Sequence, residues 1–584
     1  MTVSSDLPSS LDALSTPDDL IAEGALQALR RRDDDAKSSS SEQPSAPTSF
    51  VARVRRRAAT LISPDQPEAE KVLSTETSSP ADVVRSLINA GRPAEASAVA
   101  ASHLPHGAED PKFLAQAKRA FSRTGSISYS VATARMIDEL EGTPQSRAYL
   151  DTVEGKIAET EPDWLPTIEG APEKLEPSSP DTILHLLKLS VPHRQSGYTM
   201  RSRYVVDGQR AAGLDPVVLT SLGFPRTLGI EDFAATETIE GTEYRRLDLG
   251  PDFAYGQRFD AYLTAYANAA AEHVREVRPA VIHAHSGHRG FDGALVALAL
   301  GRHFSIPVVY EVRGFFEATW TSDTSIAERG ETFARRLRTE NFCLQAADAV
   351  VTLSETMKAE IVGRGIPAPK VTVVPNGVDI EKFRPVERSS ELVEKHALEG
   401  RFTFGYISNV DHPREGHELL IGAVAELNAR GIPATALIVG DGKRREELEQ
   451  LAQTSGAADT VVFTGKVDHS LVLDYYGLLD VFVVPRVNER AARLVTPLKP
   501  YEAMASGIPL VVSDIDALRE VTGDGDRARY FVTSDVSSLV EVLTELYEQP
   551  QARAALSEKA RRWVETDRQW STFGDIYREL YRSV

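Results

Sequence analysis

The stretch Val484–Asp514, VPRVNERAARLVTPLKPYEAMASGIPLVVSD, carries residue types that can hold a phosphorylated ligand. Proline is tolerated only in the first turn of a helix, so a helix here starts at Pro497 or Pro500, with Thr496 available to cap the earlier start. Free amides at Leu498 and Lys499 would then point out of the helix N-terminus, where the dipole favours an anion and the Lys499 ammonium adds a full charge. A sugar diphosphate suits that position. Glu502 lies one turn further in, next to the apolar run from Ile508, and a carboxylate accepting two hydroxyl hydrogen bonds is a common way to hold a ribose. The competing reading is an ordinary capped helix with Glu502 in solvent.

Other polar residues collect just after apolar runs: His193, Arg194, Gly197 and Tyr198; His283, His285 and His288; Glu311, Arg313 and Gly314. For the histidines the functional reading is contact with a second substrate or handling of its proton, and the structural one is hydrogen-bonded residues at strand ends. His285 is the first choice among them.

The apolar runs that position these groups alternate with helical patterns from Thr182 onward, the signature of doubly wound parallel sheets. Strands are expected at TILHLLKLSV, PVVLTS, AVIHAHS, PVVYEVRG, AVVTLS and KVTVVP, then at FTFGYIS, TALIVG, TVVFTG, VFVVP, IPLVVS and RYFVT. The expected class is α/β, with two Rossmann-like units at 181–385 and 386–565 facing a cleft lined by strand-end loops. Neither unit has spaced glycines directly after its first strand, so no nicotinamide cofactor is indicated.

Upstream, residues 1–79 are rich in Ser, Pro, Asp and Glu and are expected to be disordered. Within them Asp33, Asp34 and Asp35 read as solvated charge, and the basic stretch Ser49–Ile62 as a solvated patch or a peripheral contact with an anionic membrane. Apolar spacing predicts helices over 80–160, and Leu87 and Gly91 recur as Phe121 and Gly125 34 positions on, the period of tetratricopeptide-type repeats. This accessory segment could dock a protein partner. Residues 161–180 are proline-rich and read as a linker, so a chain lacking residues 1–175 is expected to fold.

The chain has 584 residues, enough for three or four domains, and its net charge of -20 argues against a nucleic-acid partner. Its single cysteine, Cys343, excludes an intrachain disulfide or a cysteine-built metal site. The start MTVSSDLPSSLDAL lacks the features of a signal peptide, and no run reaches the 18 or so apolar residues of a membrane span. The expected location is the cytoplasm, with the inner membrane face as a possible site of contact.

The order of HRQSGYTMRS, VIHAHSGH, VVYEVRGFFE, VVPNGVDIEKF, LIVGDG, VVFTGKV, VVPR and TPLKPYEAMASGIPLVVSD resembles family 4 of the retaining, GT-B-fold glycosyltransferases, in the branch that builds capsule, exopolysaccharide and cell-wall glycans. The resemblance runs from Asp181 to the C-terminus. It implies a nucleotide-sugar donor on the second unit, favoured as a UDP-sugar over a GDP-sugar, a glycan or lipid-linked acceptor on the first, no cofactor and no metal. A final helix, in 566–584, would cross back to the first unit. By position, Glu502 matches the ribose-binding glutamate, Leu498 and Lys499 the diphosphate-binding amides, Gly197 the loop over the sugar phosphate, and Lys466 and Val467 the segment beside the base.

Three departures stand out. Leu494 replaces the family's first glutamate, Asn409 and Glu415 replace the basic diphosphate grip, and Arg313 replaces the active-site histidine. Arg486, Lys499 and Arg414 could restore the missing charge, and Thr496 borders the same site. The expected catalytic set is His285, Arg313, Lys499 and Glu502. The alternatives are a catalytically degenerate sugar-nucleotide binder or scaffold, and a sugar-nucleotide epimerase of the same fold.

Overall fold

A computed structural model describes residues 79–255, 258–287, 290–317, 326, 328–468 and 470–584. The expected tail, its basic stretch, the aspartate run and His288 lie outside the described residues.

Two sheets carry the molecule. The first contains β1 (Thr182–Leu187), β2 (Asp215–Thr220), β3 (Thr236–Ile239), β4 (Thr242–Arg245), β5 (Val281–His285), β6 (Val308–Val312), β7 (Ala349–Thr352) and β8 (Val371–Val373), in the order β3-β4-β2-β1-β5-β6-β7-β8. The second contains β9 (Phe402–Ile407), β10 (Ala434–Val439), β11 (Val461–Phe463), β12 (Val481–Val484), β13 (Leu510–Ser513) and β14 (Ala528–Phe531), in the order β11-β10-β9-β12-β13-β14. Pairing is parallel except between β3 and β4. The α/β class and all twelve expected strands are present.

The sequence reading missed the β3–β4 hairpin. Its turn, Glu240-Gly241, has φ of 48° and 83°, as a tight hairpin requires, but Glu-Gly is not among the usual Asn-Gly or Asp-Gly signals.

Strand order reverses beside β1 and β5 in the first sheet and beside β9 and β12 in the second. Ligand crevices form beyond the strand C-termini at such points. The segments there are 188–198, 286–287, 408–416 and 485–494, which hold Gly197, Asn409, Arg414 and Arg486 of the expected site residues.

The helical segment consists of Pro80–Asn89, Pro93–His103, Pro111–Thr124, Ile127–Glu141 and Pro144–Ala158. Leu87 and Phe121 are buried in one apolar cluster, and Gly91 and Gly125 both take positive φ where a helix ends, so the recurring pairs occupy equivalent places. The segment is docked on the first sheet unit. Glu331 accepts hydrogen bonds from the backbone and hydroxyl of Ser128, and a Cβ on Gly155 would lie 2.7 Å from the Phe259 amide nitrogen.

Residues 161–180, expected as a linker, are a strap. Trp164, Leu165, Ile168 and Leu175 pack on the core of the first unit, and the Glu173 and Leu175 amides donate to the carbonyls of His303 and Phe304. At the other end of the chain, Val378 and Gln569 form a bridge, after which Trp570, Phe573, Tyr577 and Tyr581 join the apolar cluster on the opposite face of the first sheet. Trp570 stacks on Tyr204 with ring centres 5.3 Å apart.

Candidate active site

The donor half is built on the second sheet. The helix Lys499–Ala505 starts one residue before Pro500, with Leu498 as its cap and no side-chain cap bond. Thr496 therefore does not cap it. Thr496 is buried, and its carbonyl accepts a hydrogen bond of 2.9 Å from Asn376 Nδ2. Glu502 is held rather than solvated: Oε2 accepts from Tyr476 Oη and from Lys499 Nζ, each at 2.9 Å. Tyr476 is buried, so this carboxylate has a fixed orientation.

Across the cleft, Gly197 opens the helix Gly197–Ala211, whose cap Ser196 forms a reciprocal box with Thr199. A Cβ on Gly197 would lie 3.4 Å from Leu498 Cδ1. The starts of two helices, one from each unit, thus meet at the cleft. Leu494 and Val495 pack on the apolar core of the first unit, which gives a physical role to the leucine at the position of an expected acid. Arg490 with Glu360, and Glu520 with the amides of Glu355 and Thr356, close the same seam.

The basic groups are not disposed as expected. Arg486 donates to both oxygens of Glu415 at 3.2 Å and to the Val495 carbonyl, and Tyr406 Oη donates to Glu415 at 2.6 Å. Burial alone would raise the Glu415 pKa, but Arg486, the Tyr406 hydroxyl and Arg414 hold it below the usual range. Asn409 is exposed and paired with Asp411. Arg414 is 32% exposed at 3.5 Å from Glu415, so it keeps a face toward solvent that Arg486 lacks. Lys466 is exposed and Val467 packs on the second core, at the end of β11 on the other side of β9 from Glu502.

His285 and Arg313 belong to a buried network rather than to the cleft surface. Arg313 donates to Glu311 (2.7 Å), to the Ser202 hydroxyl (2.6 Å) and to His285 Nδ1 (2.6 Å). Because arginine only donates, His285 must accept at Nδ1 and carry its proton on Nε2, which faces His185 Nδ1 at 2.8 Å. The order continues from His185 Nε2 to Gln209 Oε1, from Gln209 Nε2 to Tyr581 Oη, and from Tyr581 to His283 Nδ1. All three imidazoles are neutral: burial, then the Arg313 charge, pushes His285 down to about 4, and burial followed by His285 lowers His185 and His283.

The three rings offer nitrogens within 4.8 Å of one another, but His185 and His285 spend the facing pair on each other, so the cluster is a hydrogen-bonded chain and not a ready metal cradle. His285 is therefore placed to orient Arg313 through Nδ1, and its ring also lines the cavity at the C-terminal ends of β1, β2 and β5.

Glu311 anchors this network. It accepts from Arg313, from Arg201 at 3.0 Å and from Tyr577 Oη at 2.7 Å. Burial alone would raise its pKa, but the two guanidiniums hold it well below the carboxylate range. Arg201 also donates to the Val374 and Pro375 carbonyls and to Asn376, tying the Gly197 helix to the crossover between units. Sequence reasoning assigned no role to Arg201, Asn376, Tyr476 or Gln209. Arg201 stands one turn after Gly197 in GYTMRS, which was the available signal.

The comparisons agree with this layout. Residues 196–377 match the family model described as Glycosyl transferase 4-like domain, and residues 389–563 that described as Glycosyl transferases group 1. With the two-sheet fold, these matches define the class: a GT-B chain of the glycosyltransferase family 4-like kind. A GDP-mannose-dependent alpha-(1-6)-phosphatidylinositol monomannoside mannosyltransferase of Mycolicibacterium smegmatis is 30% identical over 238 residues, 40% of this chain and 62% of that protein. A glycogen synthase of Mycobacterium tuberculosis is 25% identical over 392 residues, 64% of this chain and 87% of it.

The chain spans 62%, 51% and 59% of the length of the first curated relatives it matches. Among solved structures, a sucrose-phosphate synthase from Thermosynechococcus elongatus superposes with a TM-score of 0.58 at 20% identity, covering 69% of this chain and 100% of that one. Anabaena HepE in complex with UDP and glucose gives 0.53 at 18%, covering 69% and 99%. These two show the fold.

Proposed function

We propose that the chain is a retaining glycosyltransferase that moves a sugar from a nucleotide donor, a UDP-sugar in preference to a GDP-sugar, to a cell-envelope glycan or lipid-linked acceptor. The observation that carries this is the meeting of Gly197 and Leu498 across the cleft, with the oriented Glu502 carboxylate one turn behind Leu498. Glu502 suits two ribose hydroxyls, and the helix starts suit the diphosphate. In the reaction the bond from the anomeric carbon to the phosphate oxygen breaks, the bond to the acceptor oxygen forms on the same face, and the acceptor proton passes to the departing phosphate. We assign Lys499 and Arg414 as the cations that meet the charge developing there.

A second reading, a degenerate nucleotide-sugar binder, is favoured by one observation: Arg486 is neutralised by Glu415. Thermal shift with UDP, GDP, ADP and their sugars tests binding, since a ligand at 100 times its dissociation constant stabilises by about 2.7 kcal/mol. Release of nucleoside diphosphate, with the product anomer read by proton NMR, tests transfer. Stabilisation by none of the nucleotides counts against both readings, and binding without turnover leaves the second.

A further inference from the structure

Beyond the donor cleft, the C-terminal ends of β1, β2 and β5 enclose a cavity of about 240 Å³. Its wall is aromatic, formed by Tyr255, Phe259, Tyr262 and Tyr266, with Leu187 and Leu222 beneath. Tyr255 and Tyr262 present ring faces, because their hydroxyls are engaged elsewhere. Tyr255 Oη donates to Asp248 at 2.6 Å and accepts from the Leu249 amide, and Tyr262 Oη donates to the Leu222 carbonyl at 3.0 Å. A sugar in this wall would leave hydroxyls without partners, which is costly, whereas an apolar group loses nothing. An apolar cavity of about 150 Å³ is enough for benzene, so this one has room for a ring with a few further carbons or for a short alkyl chain.

The cavity also lies beside the donor cleft. Lys188 lines it, and the Lys188 amide donates at 3.0 Å to the hydroxyl of Tyr198, the residue after Gly197. The polar part of the lining is Ser221, whose hydroxyl donates to the Lys188 carbonyl at 2.8 Å, with Asp292 and the exposed Thr227.

We infer that this cavity is the acceptor pocket and that it selects an amphipathic acceptor, with a short alkyl or aromatic aglycone buried among the tyrosines and a hydroxylated head turned toward Gly197. The inference rests on the glycosyltransferase reading for the word acceptor, but its test does not use the donor. The full chain, without nucleotide, is titrated calorimetrically with methyl, n-octyl and phenyl α-D-glucopyranoside, each below any micellar concentration. Octyl or phenyl glucoside should bind at least tenfold more tightly than methyl, the larger gain distinguishing an alkyl from an aromatic aglycone.

Thr227→Trp, an exposed rim position, fills the mouth and should abolish that gain while the unfolding midpoint stays at the wild-type value. Leu189→Trp, also on the cavity wall, is the second variant should the first misfold. Equal binding of the three glucosides, or a gain that survives in a folded filled variant, overturns the assignment. Failure of the nucleotide panel alone would sink the transferase reading and leave the pocket result standing.

Discussion

The Arg486 guanidinium faces both oxygens of the Glu415 carboxylate at 3.2 Å, so a cation expected to grip a diphosphate is already paired. Removing either partner has opposite electrostatic consequences. Arg486→Ala leaves a buried carboxylate uncompensated, which should lower stability by about 3 kcal/mol and weaken nucleoside diphosphate binding. Glu415→Gln keeps the guanidinium and removes its counter-charge, so diphosphate affinity should rise a few-fold despite some loss of stability. Urea denaturation and calorimetry on both variants decide this, and equal losses of affinity would show that the pair matters only as a structural unit.

Lys499 shares Glu502 Oε2 with Tyr476. Once a nucleotide competes for that carboxylate, the ammonium is free to turn toward the phosphates. Lys499→Ala should then lower turnover on the order of 10²-fold, the scale of one lost transition-state donor, with a smaller effect on donor affinity. Turnover at the wild-type rate would leave Arg414 as the candidate.

Glu502→Ala removes contacts already present in the ground state. Nucleoside diphosphate affinity should fall tenfold or more, by calorimetry on a variant whose circular dichroism is unchanged. Unchanged affinity would remove Glu502 from the donor site.

The buried histidines make stability depend on pH in one direction. His185, His283 and His285 have folded pKa values below the unfolded value of about 6.5, so below that pH the unfolded chain binds protons that the native chain refuses. Their contribution is complete above pH 6.5 and declines as pH falls, to about 4 for His285, where that one group accounts for on the order of 3 kcal/mol. Glu311, depressed below its usual value, adds a loss of the same sign at lower pH. Urea midpoints at pH 7.5, 6 and 5 should fall in that order, and a flat profile would contradict the neutral chain.

The strap changes where the chain can be cut. Removing 1–160 leaves Trp164, Leu165, Ile168 and Leu175 on their core and should give a soluble, folded protein of reduced melting temperature. Removing 1–178 uncovers that surface and should cost a further 3–5 kcal/mol, roughly, from four partly buried apolar side chains. Equal melting temperatures for the two truncations would show that the strap contributes nothing.

Local pattern sufficed for much of this. Runs such as TILHLLKLSV and FTFGYIS are predominantly apolar because strands of a covered parallel sheet are buried on both faces, so the twelve strands and their two-unit grouping were legible without coordinates. The small-residue end at Ser506-Gly507 likewise marked where the short helix stops, while its start stayed open between Pro497 and Pro500 until the structure placed it at Lys499. Partner choice was not legible, because it depends on which side chains meet across long sequence separations. Arg201 reaches Glu311 and Asn376, Tyr581 reaches Gln209 and His283, and Leu494 packs on a core that precedes it by more than a hundred residues. A charge in the sequence is only a charge, and burial beside a particular counter-ion decides whether it is spent inside the fold, as with Arg486 and Arg313, or left partly in solvent, as with Arg414.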